Sequence, residues 1–179
     1  KPDGDQGRVF CAETQNGGRS FKFISWIRES PEGFDIMPSS LKLPSGRFIT
    51  ALRCRSSDNN RGWIDLMYSD DEAISWRQLS KPVDNTGVGG NPPAMLRLSD
   101  GKICLVYGYR DGGSGVRYIV SEDEGETWGK EIILREDAGN HDIGYPRVVE
   151  RADGDLVAVY YHNDVADGER YIAATIWKP

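Results

Sequence analysis

The sequence predicts an all-β protein, a β-propeller of four-stranded antiparallel blades, and three observations lead to that prediction. The chain of 179 residues contains 21 Gly, 8 Tyr and 5 Trp, a composition that favours strands joined by many tight turns. A hairpin pattern and a turn pattern both recur along the chain, at intervals of 52 to 55 residues. A repeat of that length is typical of propeller blades, which hold four strands each.

The first pattern is a β-hairpin that begins at a proline. Pro38, Pro93 and Pro146 lie 55 and 53 residues apart, and in each case a glycine follows eight residues later. Short β-rich runs stand on both sides of that glycine, which is the signature of a hairpin. Proline suits the first residue of a strand because no backbone N–H is needed there. Each repeat is therefore expected to open with an inner hairpin.

The second pattern is a turn in which side chains cap the backbone, here called the capped turn. SEDEGETW at residues 121–128 fits the form S-x-D-x-G-x-T-W, SDDEAISW at 69–76 has Ala73 at the glycine position, and TQNGGRSF at 14–21 is a weaker copy. The carboxylate can accept backbone N–H groups, glycine permits a positive φ, and the final aromatic ring packs between sheets. Because alanine fits a positive φ less easily, the turn at Ala73 is expected to be distorted.

These two patterns divide the chain into four ranges. Residues 1–36 are expected to form the outer strands of one blade, with strands near Arg8–Thr14 and Phe21–Glu29. Residues 37–88 and 89–138 are each expected to form a complete blade. Residues 139–179 are expected to supply the inner three strands of a last blade, ending at Tyr171–Trp177.

The capped turns resemble the Asp boxes, or bacterial neuraminidase repeats, of the sialidase superfamily. The segments GNPPAMLRLSDGKICLVYGYR and GYPRVVERADGDLVAVYY also resemble bacterial sialidase-like exo-glycosidases, and the likeness extends over nearly the whole chain. The resemblance implies a six-bladed ring, of which this chain would be the C-terminal half, about three blades. It implies as partner either a missing N-terminal half or a second chain that completes the ring. It also implies a secreted or periplasmic protein, although residues 1–7 lack the pattern of a secretion signal.

Composition argues against several classes of partner. The net charge is -6 and no run of Lys or Arg is long enough to follow a phosphate backbone, so nucleic acid is not expected as a partner. No stretch approaches the roughly 18 apolar residues of a membrane span. Two isolated His and no His/Asp/Glu cluster predict neither a metal nor a cofactor. The scattered Cys11, Cys54 and Cys104 are expected to be buried free thiols.

The candidate site residues follow from the position of the loops. In a propeller, the loops before the first strands and between the second and third strands line one end of the axis, whereas the capped turns lie at the other end. The capped-turn carboxylates are therefore expected to be structural. At the axial end, the loops before the first strands carry Asp35, Asn91, His141, Asp142, Tyr145 and Arg147. The loops after the second strands carry Arg53, Arg55, Asp58, Arg110, Asp111, His162, Asn163 and Asp164.

Roles are assigned to nine of these residues. The predicted substrate-binding residues are Arg55, Asn91, Arg110, Asp142 and Arg147, since fixed guanidinium groups around one axis suit bidentate hydrogen bonds to a carboxylate or a hydroxylated sugar. The predicted catalytic residues are Asp58, Asp111, Tyr145 and His162. The resemblance places Asp58 and Asp111 in loops like the one that holds the acid of the family, and carboxyl groups with a raised pKa act as general acid or base. His162 is a candidate proton donor.

The expected function is an exo-acting glycoside hydrolase that removes terminal sugars from glycans. Family members carry an Arg two residues before a strand proline, and here those places hold Ile36, Asn91 and Gly144, so specificity for sialic acid is not implied. One alternative is a non-catalytic propeller that binds glycans or proteins through an aromatic surface, where Trp63 is the aromatic residue to watch. The other is a polysaccharide lyase, in which His162 or Tyr145 removes a proton beside a uronate carboxylate neutralised by Arg.

Overall fold

The computed structural model describes residues 7–179, which form thirteen β-strands in four antiparallel sheets and no helix. Sheet 1 holds β1 (Phe10–Glu13) and β2 (Lys22–Trp26). Sheet 2 holds β3 (Phe34–Lys42), β4 (Phe48–Arg55), β5 (Gly62–Ser69) and β6 (Arg77–Val83). Sheet 3 holds β7 (Ala94–Arg97), β8 (Ile103–Tyr109), β9 (Gly115–Ser121) and β10 (Ile132–Arg135). Sheet 4 holds β11 (Gly144–Glu150), β12 (Leu156–His162) and β13 (Tyr171–Trp177).

Sheets 2 and 3 confirm the predicted fold class. Each has four antiparallel strands in which consecutive strands are neighbours, the arrangement of a propeller blade. Sheet 4 has three strands and sheet 1 has two within the described residues. Sheet 2 begins at Phe34, ahead of the expected boundary at residue 37, because the first strand starts before its proline.

The hydrophobic cores lie between the sheets. Leu66 of sheet 2 packs in one cluster with Leu105 of sheet 3, and Val106 of sheet 3 packs in a second with Leu156 of sheet 4. A smaller cluster that includes Ile27 joins sheet 1 to sheet 2. Because adjacent sheets bury the faces that they turn toward each other, stability comes from stacking the sheets in sequence.

The capped turns share one hydrogen-bond pattern. Asp123 accepts hydrogen bonds from the Thr127 backbone N–H at 2.8 Å and from the Thr127 hydroxyl at 2.5 Å. In the weaker copy, Asn16 accepts from the Ser20 backbone N–H at 3.0 Å and donates to the Ser20 hydroxyl at 2.8 Å. The amide therefore reproduces the cap that the carboxylate makes elsewhere.

The expected distortion at Ala73 was wrong. Ala73 adopts a φ of 65°, and its N–H donates to the Ser69 hydroxyl at 3.0 Å. Asp71 accepts from the Ser75 N–H at 2.9 Å, as its counterpart does in the glycine-containing copy. The cap bonds hold the left-handed conformation in spite of the Cβ atom.

The two capped turns that end in tryptophan also tie their sheets to the preceding ones. The indole N–H of Trp76 donates to the hydroxyl of Ser25 on β2 at 3.1 Å, and that of Trp128 donates to the hydroxyl of Ser80 on β6 at 3.2 Å. Each of these serines in turn donates to a turn carbonyl, at 2.5 and 2.6 Å. The repeated motif thus fixes the packing of neighbouring blades.

Two minor expectations need correction. Trp63 is 2% exposed and lies in the core between sheets 1 and 2, so it offers no surface for a glycan. Cys54 and Cys104 are buried free thiols, whereas Cys11 on β1 is partly exposed.

Among residues 7–179, no helix has the length and apolar character to cross a membrane.

Candidate functional site

The first strands of sheets 2, 3 and 4 begin around one depression of about 280 Å³, here called the axial depression. Its lining residues are Met37, Pro38, Pro92, Pro93, Tyr145 and Arg147. Three consecutive sheets therefore contribute equivalent segments to one concave surface, at the end of the molecule where the predicted site residues were expected.

Tyr145 is the central side chain of this end. It is 38% exposed and has a φ of 56°. Its hydroxyl accepts a hydrogen bond from Arg53 Nη1 at 3.1 Å, and the guanidinium carbons of Arg53 and Arg110 lie 5.8 and 5.7 Å from its ring centroid. Both guanidinium groups therefore lie within cation–π distance of the Tyr145 ring.

Both arginines are held by backbone carbonyls. Arg53 is 7% exposed and donates from Nε and Nη2 to the Gly89 carbonyl at 3.1 and 2.7 Å. Arg110 donates from Nε and Nη2 to the Ile143 carbonyl at 3.1 and 2.9 Å. Burial lowers the pKa of Arg110 from 12.5, yet the guanidinium stays charged at neutral pH. The two cations are therefore fixed in place.

Asp142 and Tyr161 form a hydrogen-bonded pair beside Tyr145. The Tyr161 hydroxyl donates to Asp142 Oδ1 at 2.7 Å and accepts from Arg110 Nη2 at 2.8 Å. Arg170 Nε donates to Asp142 Oδ2 at 2.9 Å. The Tyr161 bond, more than Arg170, lowers the pKa of Asp142. Burial and the neighbouring carboxylate raise the pKa of Tyr161 to about 12.

Asp58 and Asp111 cap their own loops. Asp58 accepts from the Ser56 hydroxyl at 2.5 Å and from the Asn60 N–H at 3.1 Å, and the Ser56 bond in particular lowers its pKa. Asp111 is exposed and accepts from the Gly112 N–H at 2.8 Å. A general acid needs a raised pKa, whereas the pKa of Asp58 is lowered, so Asp58 is not suited to act as the acid.

Arg55 points away from the cluster, although it shares a repeat position with Arg110. Its guanidinium stacks on the Phe34 ring at 3.8 Å and donates to Asn59 at 2.9 Å. Arg53, two residues earlier on β4, takes the place beside Tyr145. Arg147 is exposed and lines the axial depression.

Asn91 and His162 are wholly buried, at 0% exposure, so neither presents a polar atom to a substrate. His162 lies between sheets 3 and 4, with Nε2 at 3.7 Å from Asp137 and neither ring nitrogen hydrogen-bonded. Burial lowers its pKa from 6.5, which makes it neutral at pH 7. These properties contradict its expected role as a proton donor.

The structure thus brings Arg110, Asp142 and Tyr145 together, and it adds Tyr161 and Arg170, which sequence reasoning missed. Tyr161 lies next to Tyr160 on β12, and no local signal indicates which of the two rings faces the axis. In the described part of the chain, no group of three or more His, Cys, Asp or Glu side chains is placed to hold a metal ion.

No known protein family and no curated protein matches the sequence. Among solved structures, a protein of unknown function from Dyadobacter fermentans is 26% identical over 93% of this chain and 44% of its own, with a TM-score of 0.77. An α-L-arabinanase from Penicillium chrysogenum in complex with arabinobiose is 18% identical, over 96% of this chain and 55% of its own, with a TM-score of 0.75. A GH93 α-L-arabinofuranosidase from Fusarium graminearum is 18% identical over 100% and 56%, with a TM-score of 0.73.

These comparisons support the β-propeller fold, and sialidases are among the similar structures, at 18% and 20% identity. The chain covers 44%, 56% and 55% of the Dyadobacter, arabinofuranosidase and arabinanase structures, about half the length of each.

Proposed function

We propose that this chain forms part of a carbohydrate-active enzyme, a glycoside hydrolase that removes terminal sugars from glycans at the axial depression. The observation that carries the proposal is the cluster around Tyr145: an exposed phenol held between Arg53 and Arg110, with the Asp142–Tyr161 pair beside it. The arabinofuranosidase and arabinanase structures, similar in fold, make an α-L-arabinofuranoside the first substrate to test.

The chemistry follows from the charges. In this proposal the Tyr145 oxygen, hydrogen-bonded by Arg53, attacks the anomeric carbon while its phenolic proton passes to a base and the glycosidic bond breaks. Water then releases the sugar from the tyrosine. Asp142 is ionised, because its pKa is lowered, and therefore serves as a base rather than as the acid. Arg147 binds the hydroxyl or acidic groups of the sugar at the rim of the depression. The proton donor to the leaving group belongs to another part of the ring.

The test is hydrolysis of a panel of nitrophenyl glycosides that includes the α-L-arabinofuranoside. We expect Tyr145→Phe and Asp142→Asn each to lower kcat/KM by about 10²–10⁴-fold. Tyr68→Phe is the matched control, because Tyr68 lies next to the last residue of β5, beside a capped turn at the opposite end. Full activity of both axial variants would refute the proposal, as would failure of the wild-type chain, alone and in the assembled ring, to cleave any glycoside.

A second candidate, a polysaccharide lyase, is favoured by one observation. Within the described residues, Asp142 is the one carboxylate hydrogen-bonded into the Tyr145 cluster, whereas the usual hydrolases use two. A Tyr beside two Arg suits removal of a proton next to a neutralised uronate. A PL25 ulvan lyase is similar in fold, with a TM-score of 0.52 at 17% identity. Release of an unsaturated, ultraviolet-absorbing uronate from an acidic polysaccharide would select this candidate over hydrolysis.

A further inference from the structure

Asn91 is a buried residue at the axial end, and both polar atoms of its side chain are hydrogen-bonded. Its Nδ2 donates to the Ile143 carbonyl at 2.9 Å. Its Oδ1 accepts from the backbone N–H of Gly108 and from that of Tyr145, both at 3.2 Å. Because Gly108 lies on β8 and Tyr145 on β11, one amide joins sheet 3 to sheet 4 directly beneath the Tyr145 cluster.

The surroundings of Asn91 are shaped to receive this amide. A Cβ atom at Gly108 would lie 2.6 to 2.8 Å from the three terminal atoms of Asn91, and a Cβ atom at Gly144 would lie closer still. Real Cβ atoms do not approach other atoms so closely. The Asn91 amide therefore occupies the space that a side chain at either glycine would need, which makes its position specific.

The same amide supports a strained backbone. Tyr145 has a φ of 56° directly after Gly144 at 114°, and the β11–β12 register shifts between Gly144 and Arg147. Tyr145 thus lies in a bulge, where its N–H has Asn91 Oδ1 as its hydrogen-bond partner. Strain of this kind persists only where several contacts hold the residue.

We propose that Asn91 is the positioning residue of the axial site. By accepting the Tyr145 N–H and donating to the Ile143 carbonyl, it fixes the left-handed conformation that brings the Tyr145 hydroxyl to Arg53. It shares the Ile143 carbonyl with Arg110, so it also sets the place of the second cation. The catalytic consequence rests on the proposed function; the structural role does not.

The experiment compares two variants of the same size as Asn91 in the full 179-residue chain. Asn91→Asp keeps the acceptor for the Tyr145 N–H, whereas Asn91→Leu removes it while filling the same space. We expect amide hydrogen exchange of Tyr145 to accelerate by about tenfold or more in Asn91→Leu, the loss of one hydrogen bond. We expect a smaller acceleration in Asn91→Asp, which keeps the acceptor for the Tyr145 N–H but loses the donor to the Ile143 carbonyl. Asn85→Leu is the control, since Asn85 is exposed and bonds to the N–H of Gly87.

Equal exchange in Asn91→Leu and Asn91→Asp would mean that Asn91 acts by packing alone and would overturn the proposal. If Asn91→Leu does not fold, the proposal can be tested by NMR on the wild-type chain. We expect a hydrogen-bond scalar coupling between the Tyr145 amide nitrogen and the Asn91 side-chain carbonyl carbon. Absence of this coupling would overturn the proposal.

The activity assay separates this inference from the proposed function. If the wild-type protein cleaves a glycoside, kcat is expected to fall about tenfold or more in Asn91→Leu with a smaller change in KM, and to fall less in Asn91→Asp, which keeps the acceptor for the Tyr145 N–H. If no glycoside is cleaved, the proposed function fails, and the exchange rates of Tyr145 still decide whether Asn91 positions it.

Discussion

Single residues at the axial depression carry backbone strain. Met37 and Tyr145 have φ values of 48° and 56°, and each directly precedes the proline of its first strand. A non-glycine residue in this left-handed region costs roughly 1–2 kcal/mol, and such strain collects at functional sites. Two equivalent strained residues on the lining of one depression support the assignment of this end as the active end.

At the same scale, Tyr161→Phe is expected to raise the pKa of Asp142 toward 3.8, because the Tyr161 hydroxyl is the main cause of its lowering. Side-chain carboxyl carbon shifts in an NMR titration measure this pKa. Tyr68→Phe, at the other end of sheet 2, should leave it unchanged. An unaltered Asp142 pKa in Tyr161→Phe would mean that the arginines, Arg170 and Arg110, stabilise the carboxylate without the hydroxyl.

Among the elements, the capped turn fixes both the strand reversal and the contact with the neighbouring sheet. In the 121–128 copy, a Cβ atom at Gly125 would lie 2.5 Å from Leu66 Cδ2 of the preceding sheet, whereas at the matching Gly18 the nearest atom is 4.0 Å away. Both glycines have a positive φ. Gly125 is thus required both for its positive φ and for close packing against Leu66. Gly18 is required for its positive φ alone.

Gly125→Ala is therefore expected to lower the free energy of unfolding by about 2–5 kcal/mol, from left-handed strain plus overpacking against Leu66. Gly18→Ala, the matched variant, should lower it by about 1–2 kcal/mol from strain alone. Urea denaturation of the two variants measures both values. Equal losses would contradict the role of the inter-sheet contact.

The capped turn also predicts a pH dependence. Hydrogen bonds from Ser75 and Ser69 lower the pKa of Asp71 to about 2, below its value of roughly 3.9 in an unfolded chain. Its contribution to stability is therefore complete above pH 4 and is lost as the pH falls toward 2. An Asn side chain at this position can also cap the turn, as Asn16 does in the 14–21 copy, and its amide does not titrate.

Asp71→Asn is accordingly expected to be less stable than the wild type at pH 7, with a difference that shrinks between pH 4 and pH 2. Thermal unfolding over this pH range measures the difference. A constant difference from pH 7 to pH 2 would show that the Asp71 charge contributes nothing to the cap.

The whole molecule exposes one apolar sheet face at each end of the series of sheets. Phe23 and Trp26 of sheet 1 are 51% and 38% exposed, with ring centroids 5.4 Å apart. On sheet 4, Ile172 and Ile176 are 72% and 56% exposed. Equivalent faces of sheets 2 and 3 are buried against each other, so both outer faces have the character of blade surfaces that pack against further sheets.

The purified 179-residue chain is therefore expected to associate with itself, giving a light-scattering mass above 20.0 kDa that rises with concentration. Replacing both Ile172 and Ile176 with Lys should reduce that mass toward the single-chain value, because charge on an apolar face opposes its burial. Glu122→Lys is the control, on an exposed loop at the capped-turn end. A mass of 20.0 kDa at every concentration would contradict this prediction.

The sequence by itself determined the blade architecture, and it predicted the end of the molecule at which Arg110, Asp142 and Tyr145 lie. Both follow from local chemistry: the hairpins and capped turns are made by residues close in sequence, so their repeats can be read directly. The same strand order places the loops that carry Arg110, Asp142 and Tyr145 at one end of the sheets.

Only the tertiary structure decided which polar side chains meet. Arg53 and Tyr145 are hydrogen-bonded across 92 positions in the chain, and no spacing rule connects them. Asn91 and His162 were expected to face a substrate, yet both side chains are wholly buried. The reason is physical. A short polar motif determines its backbone conformation through hydrogen bonds between residues close in sequence, whereas the direction of a side chain beyond a strand depends on the packing of the neighbouring sheet.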